Sequence, residues 1–351
     1  MEGKAYGRGR AKMRAINAEA AAPDLPVGPK MGHAVDDTPF FIVGSGRCGS
    51  TLLRLMLCGH SRIHIPPETW FIRDLVKELP LTDPLFPAHV DRAVDIMTSD
   101  YRWPDMGIPA EEFRSWAHAL DGPKLVEVIN LVYHFQLKSH QKPRFGDKTP
   151  PYIHCMPEIA ALYPGAKFIH LIRDGRDVAI SFIEMENMRF YDRKFYWTLA
   201  MRERRGYLNS PYVSQILEVK YEDLVTRAEP TLRRLCEFLG EEFEPGMLDW
   251  NRLTELVPER ERSIHSKLAD PLRSEAVGVW QRKLSPFICF AMESCLQRDL
   301  RRLGYPVRFK SVAWRPLLIL SESIFALVGP VMIKGIRYLQ RRNYLPRTIY
   351  L

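Results

Sequence analysis

No two of the six cysteines (Cys48, Cys58, Cys155, Cys236, Cys289, Cys295) stand at the spacing of a zinc site or a Cys-x-x-Cys redox pair. That excludes the common thiolate metal centres and predicts small core residues in a reducing compartment. No apolar signal core or membrane-spanning run opens the sequence. Residues 1–38, rich in Ala, Gly, Arg, Lys and Pro, carry no periodicity and read as a flexible basic leader, with the cytoplasm as expected location. No internal repeat and no low-complexity insert follows the leader, which excludes solenoids and arrays.

The 351 residues, 46% hydrophobic and 26% charged, suffice for one large buried core. The net charge of +8 favours anionic partners. The positive residues are dispersed and form no nucleic-acid motif, so no nucleic-acid partner is expected.

Along the chain, short apolar runs alternate with helical patterns. Pro39–Val43 reads as a buried strand, Lys167–Ile172 as a second strand and Ile216–Tyr221 as a third. Helical composition follows each of them, over Thr51–Leu57, Asp174–Met185 and Glu229–Leu239, the last ended by Gly240. Between the first two units, Ala110–Leu120 and Lys124–Ser139 show helical spacing and are expected to pack over the sheet and shape a substrate pocket. The alternation predicts the α/β class: a P-loop-like parallel sheet flanked by helices, forming a single catalytic domain over residues 39–310.

Residues 311–351 differ. Leu317–Ile333 is strongly apolar but is interrupted by Glu322 and Pro330, flanked by Arg315, Lys334, Arg337, Arg341 and Arg342, and too short to favour a bilayer span. Three readings stand for this helical tail: a peripheral membrane contact through 312–342, a helix docked on its own domain, and a homodimer contact.

The chemistry concentrates in two segments. Gly44-Ser45-Gly46-Arg47-Cys48-Gly49-Ser50-Thr51 sets small residues at a strand-to-helix turn, where backbone N–H groups converge on an anion. Gly44 and Gly49 are expected to supply positive φ. The lysine that a triphosphate-binding loop carries after its second glycine is replaced by Ser50, and a cation stands inside the loop as Arg47. With no clear acidic magnesium site, this speaks against a kinase and for another phosphorylated ligand, with no metal. In the second segment, Arg173 at a strand end and Ser181 two helical turns on can both donate to one phosphate.

These two segments, in this order, resemble the 5′-phosphosulfate loop and the 3′-phosphate motif of the sulfotransferase superfamily. The resemblance extends over most of residues 39–305 and is nearest to the bacterial and protein-tyrosine branch. Pro67-Glu68-Thr69 is similar to a Glu-Thr carrying a catalytic glutamate, and Gly146-Asp147-Lys148-Thr149-Pro150 to an Asp-Lys-Thr/Ser-Pro segment. Val219–Leu224 resembles the Tyr-Glu-Asp-Leu strand, and Val277–Lys283 the Gly-x-Trp-x-x-Lys segment that closes over the donor.

The resemblance implies sulfuryl transfer from 3′-phosphoadenosine-5′-phosphosulfate (PAPS) to a hydroxyl of carbohydrate, lipid-linked or peptidyl class, leaving 3′-phosphoadenosine-5′-phosphate (PAP). It implies Glu68 as general base, with Lys148 and Arg47 stabilising charge on the phosphosulfate. Residues 44–51 hold the 5′ end. Arg173 and Ser181 hold the 3′-phosphate, with Arg282 and Lys283 adding charge. Trp280 is expected in the core, as is His170, while His64 and His154 are weaker candidates for a base than Glu68. Local alternatives make Glu68 a helix cap and Lys148 a solvated side chain. Cys48 replaces the serine of many relatives, and Trp70 replaces the arginine of the tyrosine enzymes, which argues against a tyrosine-peptide acceptor. A P-loop kinase and a non-catalytic, membrane-peripheral nucleotide-binding protein are the rival readings.

Overall fold

Phe40–Gly44 (β1) has every residue buried, and its side chains divide by the strand's period of two. Phe40 and Ile42 join one apolar cluster, Phe41 and Val43 the other, so both faces of the strand are covered and the run is apolar throughout. In the computed structural model, which describes residues 38–184, 190–262, 268 and 274–309 (backbone only for 183–196 and 287), β1 is the centre of a five-stranded sheet. The order is β2-β3-β1-β4-β5, with β2 Ile63–His64, β3 Arg144–Lys148, β4 Lys167–Ile172 and β5 Ile216–Lys220. Every pairing is parallel.

Parallel neighbours require crossovers, and helices supply them. Ser50–Cys58 (α1) follows β1; Ile72–Glu78 (α2), Pro87–Ser99 (α3), Ala110–His118 (α4) and Leu125–His140 (α5) separate β2 from β3. Met156–Leu162 (α6) leads to β4. Gly175–Glu184 (α7) and Phe190–Tyr207 (α8) lead to β5, which Tyr221–Thr226 (α9) and Ala228–Leu239 (α10) follow. Later come Glu259–Arg262 (α11), Trp280–Lys283 (α12) and Pro286–Arg302 (α13). One core cluster gathers α3, α5 and α13 on the Phe41 face; the other gathers α1 and α10 on the Phe40 face.

The expected strands and helices are present to within a few residues, and Gly240 closes α10 at φ 84°. The helix expected through Met185 is observed over Gly175–Glu184, Met185 itself lying outside the described residues. Strands β2 and β3 had no counterpart in the sequence expectations. The leader, apart from Thr38, and the tail 311–351 with its membrane, docking and dimer readings also lie outside the described residues. Among the described residues, no helix is long and apolar enough to cross a membrane.

Candidate functional site

The carboxyl ends of β1, β3 and β4 lie side by side, Gly44 facing Leu171 and Ile42 facing Lys148. In an open parallel sheet this edge is where ligands bind. The loop 44–51 leaves β1 here. Gly46, Arg47 and Gly49 have φ of 72°, 52° and 94°. Gly44 is not among the positive-φ residues, contrary to the expectation. It is required instead by close approach, since a Cβ there would stand 2.7 Å from the Leu171 carbonyl oxygen and 3.0 Å from Cys48 Sγ. At Gly49 a Cβ would meet the Tyr221 ring at 2.3 Å, so the turn is both left-handed and pressed against α9. No side chain caps α1 and no acidic residue sits in its first turn, which leaves its N-terminus to an anion. Cys48 is fully buried, and burial pushes its thiol pKa up, so it fills space as a neutral group.

Beside the loop, β3 presents Lys148. Only 2% exposed, it is not the solvated lysine of the local alternative. Its Nζ donates to Glu68 Oε1 at 2.5 Å and to Thr51 Oγ1 at 3.5 Å, tying carboxylate to loop. Glu68 Oε2 accepts from the Trp70 indole Nε1 at 2.7 Å. Burial alone would raise the Glu68 pKa, but the Lys148 ammonium and the two hydrogen bonds outweigh it and hold the carboxyl below its usual range. An ionised carboxylate is thus fixed next to the loop 44–51. Glu68 does not cap α2, whose N-cap is Phe71 without a side-chain bond.

Asp147, passed over in the sequence, anchors this corner. Its Oδ2 accepts from Thr69 Oγ1 at 2.7 Å and from Tyr133 OH at 2.8 Å. Thr69 also meets Tyr152 OH at 2.6 Å, and its N–H donates to Thr149 Oγ1 at 3.1 Å. Burial pushes the Asp147 pKa up to about 6 despite the hydroxyls that favour its ionised form. The adjacent Asp and Lys of one motif therefore divide the work: Lys148 faces the site and Asp147 holds the turn carrying Glu68.

The second segment closes the other side. Arg47 Nε donates to Ser181 Oγ at 3.3 Å, and Arg173 Nη1 donates to the Arg47 carbonyl at 3.2 Å. Arg173 also donates to the Ala276 carbonyl at 3.1 Å and lies over the Tyr221 ring at 4.3 Å. Arg47, Arg173 and Ser181 thus meet, and Arg47 reaches from the first motif to the second.

Two neighbours are scaffold. Arg176 is fully buried between Asp174 and Glu293, donates to the Pro306 carbonyl, and stacks on Trp280 at 3.6 Å. Asp177 accepts the N–H groups of Gly278 and Trp280, each at 2.8 Å, which pins the segment leading into α12 to α7. Trp280, 5% exposed, is a core residue as expected. Arg282 and Lys283 are exposed on α12, Arg282 donating to the Glu275 carbonyl at 2.7 Å.

The histidines find their partners elsewhere. His170 is fully buried against Tyr207 OH, and burial pushes its pKa down to about 4. His64 bonds Gln136 and stacks on His140 at 3.7 Å, while His154 faces Glu203. Among the described residues, no group of three or more His, Cys, Asp or Glu side chains is arranged to hold a metal ion.

The model of the sulfotransferase family matches residues 39–245. Protein-tyrosine sulfotransferase A of Caenorhabditis elegans is 25% identical over 320 residues, spanning 86% of this chain and 77% of that protein. Protein-tyrosine sulfotransferase 1 of Danio rerio is 26% identical over 282 residues, 76% of this chain and 71% of its own. Of solved structures, the sulfotransferase domain from the curacin biosynthetic pathway is 21% identical, covers 77% of this chain and 98% of its own, and superposes with a TM-score of 0.53. The sulfotransferase domain of the Synechococcus PCC 7002 olefin synthase gives 24% identity, 73% and 92% coverage, and 0.51. At these identities the structural likeness speaks to the fold.

Proposed function

The chain belongs to the sulfotransferase family and is a sulfuryl-transferring enzyme, and on that premise we propose that its donor is PAPS and that Glu68 is the general base for an acceptor hydroxyl. The observation that carries this reading is the single buried ammonium of Lys148, shared between Glu68 and the loop hydroxyl of Thr51. It sets base and donor loop one residue apart, as an in-line displacement requires.

In this reading the N–H groups of residues 44–51 hold the 5′-phosphosulfate, and Lys148 stabilises charge on the bridging oxygen as the S–O bond breaks. Arg173 and Ser181 hold the 3′-phosphate. Arg47 rises from the 5′ loop and reaches Ser181, so it lies between the two ends of the nucleotide, while Arg282 and Lys283 add charge from the closing segment. Glu68, ionised because of Lys148, takes the hydroxyl proton. No residue in this scheme calls for a metal. The acceptor is a hydroxyl of carbohydrate, lipid-linked or peptidyl class; two relatives are named for tyrosine, whereas Trp70 departs from the tyrosine enzymes at the acceptor side.

The test is transfer of labelled sulfate from PAPS to fractionated cell extract, paired with calorimetry of PAP. Glu68→Gln is expected to lower turnover roughly 10²–10⁴-fold with PAP affinity unchanged, and Arg173→Ala to lose PAP affinity. Full turnover in Glu68→Gln refutes the base, and intact affinity in Arg173→Ala refutes the 3′-phosphate site.

A further inference from the structure

Trp70 has a left-handed backbone, φ 50°, where a bulky side chain is rare. The conformation is held from both sides. Before it, Thr69 is bound by Asp147, Thr149 and Tyr152; after it, Phe71 N–H returns to the Thr69 carbonyl and Ile72 N–H donates to Tyr152 OH at 3.1 Å. The turn so fixed aims the indole at the Glu68 carboxylate. Nε1 takes Oε2 at 2.7 Å, while Lys148 takes Oε1 at 2.5 Å.

The indole is itself clamped. The Arg102 guanidinium lies 4.4 Å from its ring centroid and 4.0 Å from that of Tyr101, and Arg260 lies 5.0 Å from the Tyr101 ring. Rings and guanidiniums therefore alternate outward from Glu68 through Trp70, Arg102, Tyr101 and Arg260. A cation over the indole face draws electron density from the ring and makes the N–H a better donor. Charged groups that act on Glu68 include Lys148, Arg102, Asp147 and Arg54, and Arg73 lies 5.4 Å from the indole centroid.

A carboxylate with a different donor on each oxygen cannot rotate. We propose that Trp70 is a positioning residue of the reaction: its indole N–H fixes the plane of the Glu68 carboxylate, leaving a lone pair to the acceptor hydroxyl while Lys148 stays shared with the donor loop. This rests on the reading of Glu68 as the base. Among natural side chains, tryptophan alone combines a broad face for Arg102 with a neutral N–H at its edge.

The test uses the full chain with PAP bound. Of the indole ¹⁵N–¹H signals of the seven tryptophans, the one missing from Trp70→Phe belongs to Trp70. It is expected to be shifted downfield, to move with pH as Glu68 titrates, and to lose both properties in Glu68→Gln. In transfer of labelled sulfate from PAPS to an acceptor fraction of cell extract, Trp70→Phe is expected to lower kcat about tenfold and raise the acid limb of the pH profile by about one unit. PAP affinity is expected to stay unchanged. Trp70→Arg, which returns N–H donors, is expected to move the acid limb back down. An ordinary, pH-insensitive Trp70 signal overturns the proposal, as does an unmoved acid limb in Trp70→Phe beside an inactive Glu68→Gln. Full turnover in Glu68→Gln overturns the base reading and this inference together, so the two failures are told apart.

Discussion

Asp147 makes stability depend on pH in a direction opposite to most carboxylates. It is fully buried, and its folded pKa is raised from 3.8 to about 6. Folding thus raises the pKa by about two units, so the folded chain binds the proton more readily than the unfolded chain. Between pH 4 and 6 the unfolded form is ionised while the folded form is still protonated, and stability falls as pH rises through that window. At about 1.4 kcal/mol per unit, the cost is about 3 kcal/mol and is fully present above about pH 6. Asp147→Asn keeps an acceptor for the Thr69 and Tyr133 hydroxyls but cannot ionise. Melting temperatures of wild type and variant, measured from pH 4 to 7.5, are expected to change in their difference by roughly 6 °C, the variant gaining as pH rises. His64 and His170, whose pKa values burial lowers, make stability rise with pH up to about 6.5, but they act alike in both proteins and cancel in the difference. A difference that stays flat across the range refutes the assignment of a buried, titrating carboxyl to Asp147.

Three further variants test the loop and the segment that leads into α12. Gly49→Ala places a methyl against the Tyr221 ring at φ 94°, and strain of about 1–3 kcal/mol is expected to weaken PAP binding roughly 10–100-fold by calorimetry. Gly44→Ala meets the Leu171 carbonyl, and both variants carry strain in the folded chain, so both are expected to lower the melting temperature; unchanged melting of either counts against the close approach there. Asp177→Asn turns one of two N–H acceptors into a donor facing an N–H; PAP affinity is expected to fall about tenfold, with faster tryptic cleavage at Arg282 and Lys283. Unaltered affinity and cleavage refute the clasp.

Strands β1 and β4 were legible because burial on both faces demands an apolar run, and β5, mostly half-buried at the sheet edge, because Ile216, Leu217 and Val219 keep it apolar enough to read. Strand β3 was not. Its sequence Arg-Phe-Gly-Asp-Lys holds one apolar side chain, yet all five residues are buried. The polar members find partners inside: Arg144 in the Leu239 carbonyl and Glu241, Asp147 in hydroxyls, Lys148 in Glu68. Neither periodicity nor propensity detects a strand stabilised by such pairs, and only the motif resemblance drew attention to Lys148. The two-residue β2 is too short for any pattern.

The site divides along the same line. The proposed phosphate loop is local chemistry, glycines and a cation within eight residues, and its turn could be read directly. In the run Arg173-Asp174-Gly175-Arg176-Asp177 only Arg173, at the strand end, was singled out; the other charges could not be apportioned, because what each does is decided by partners far away in sequence. Glu293 and Asp174 neutralise Arg176, and the burial of that network makes it scaffold. Asp177 spends its two oxygens on N–H groups about a hundred residues on. Arg173, by contrast, donates to two carbonyls and lies on a ring, and among the described residues it forms no ion pair. It is the arginine proposed above for the 3′-phosphate, and Arg47 reaches toward the same place through Ser181. In such a run the arginine proposed for the ligand is the one that forms no ion pair with a carboxylate among the described residues, a property of the folded chain that spacing alone does not carry.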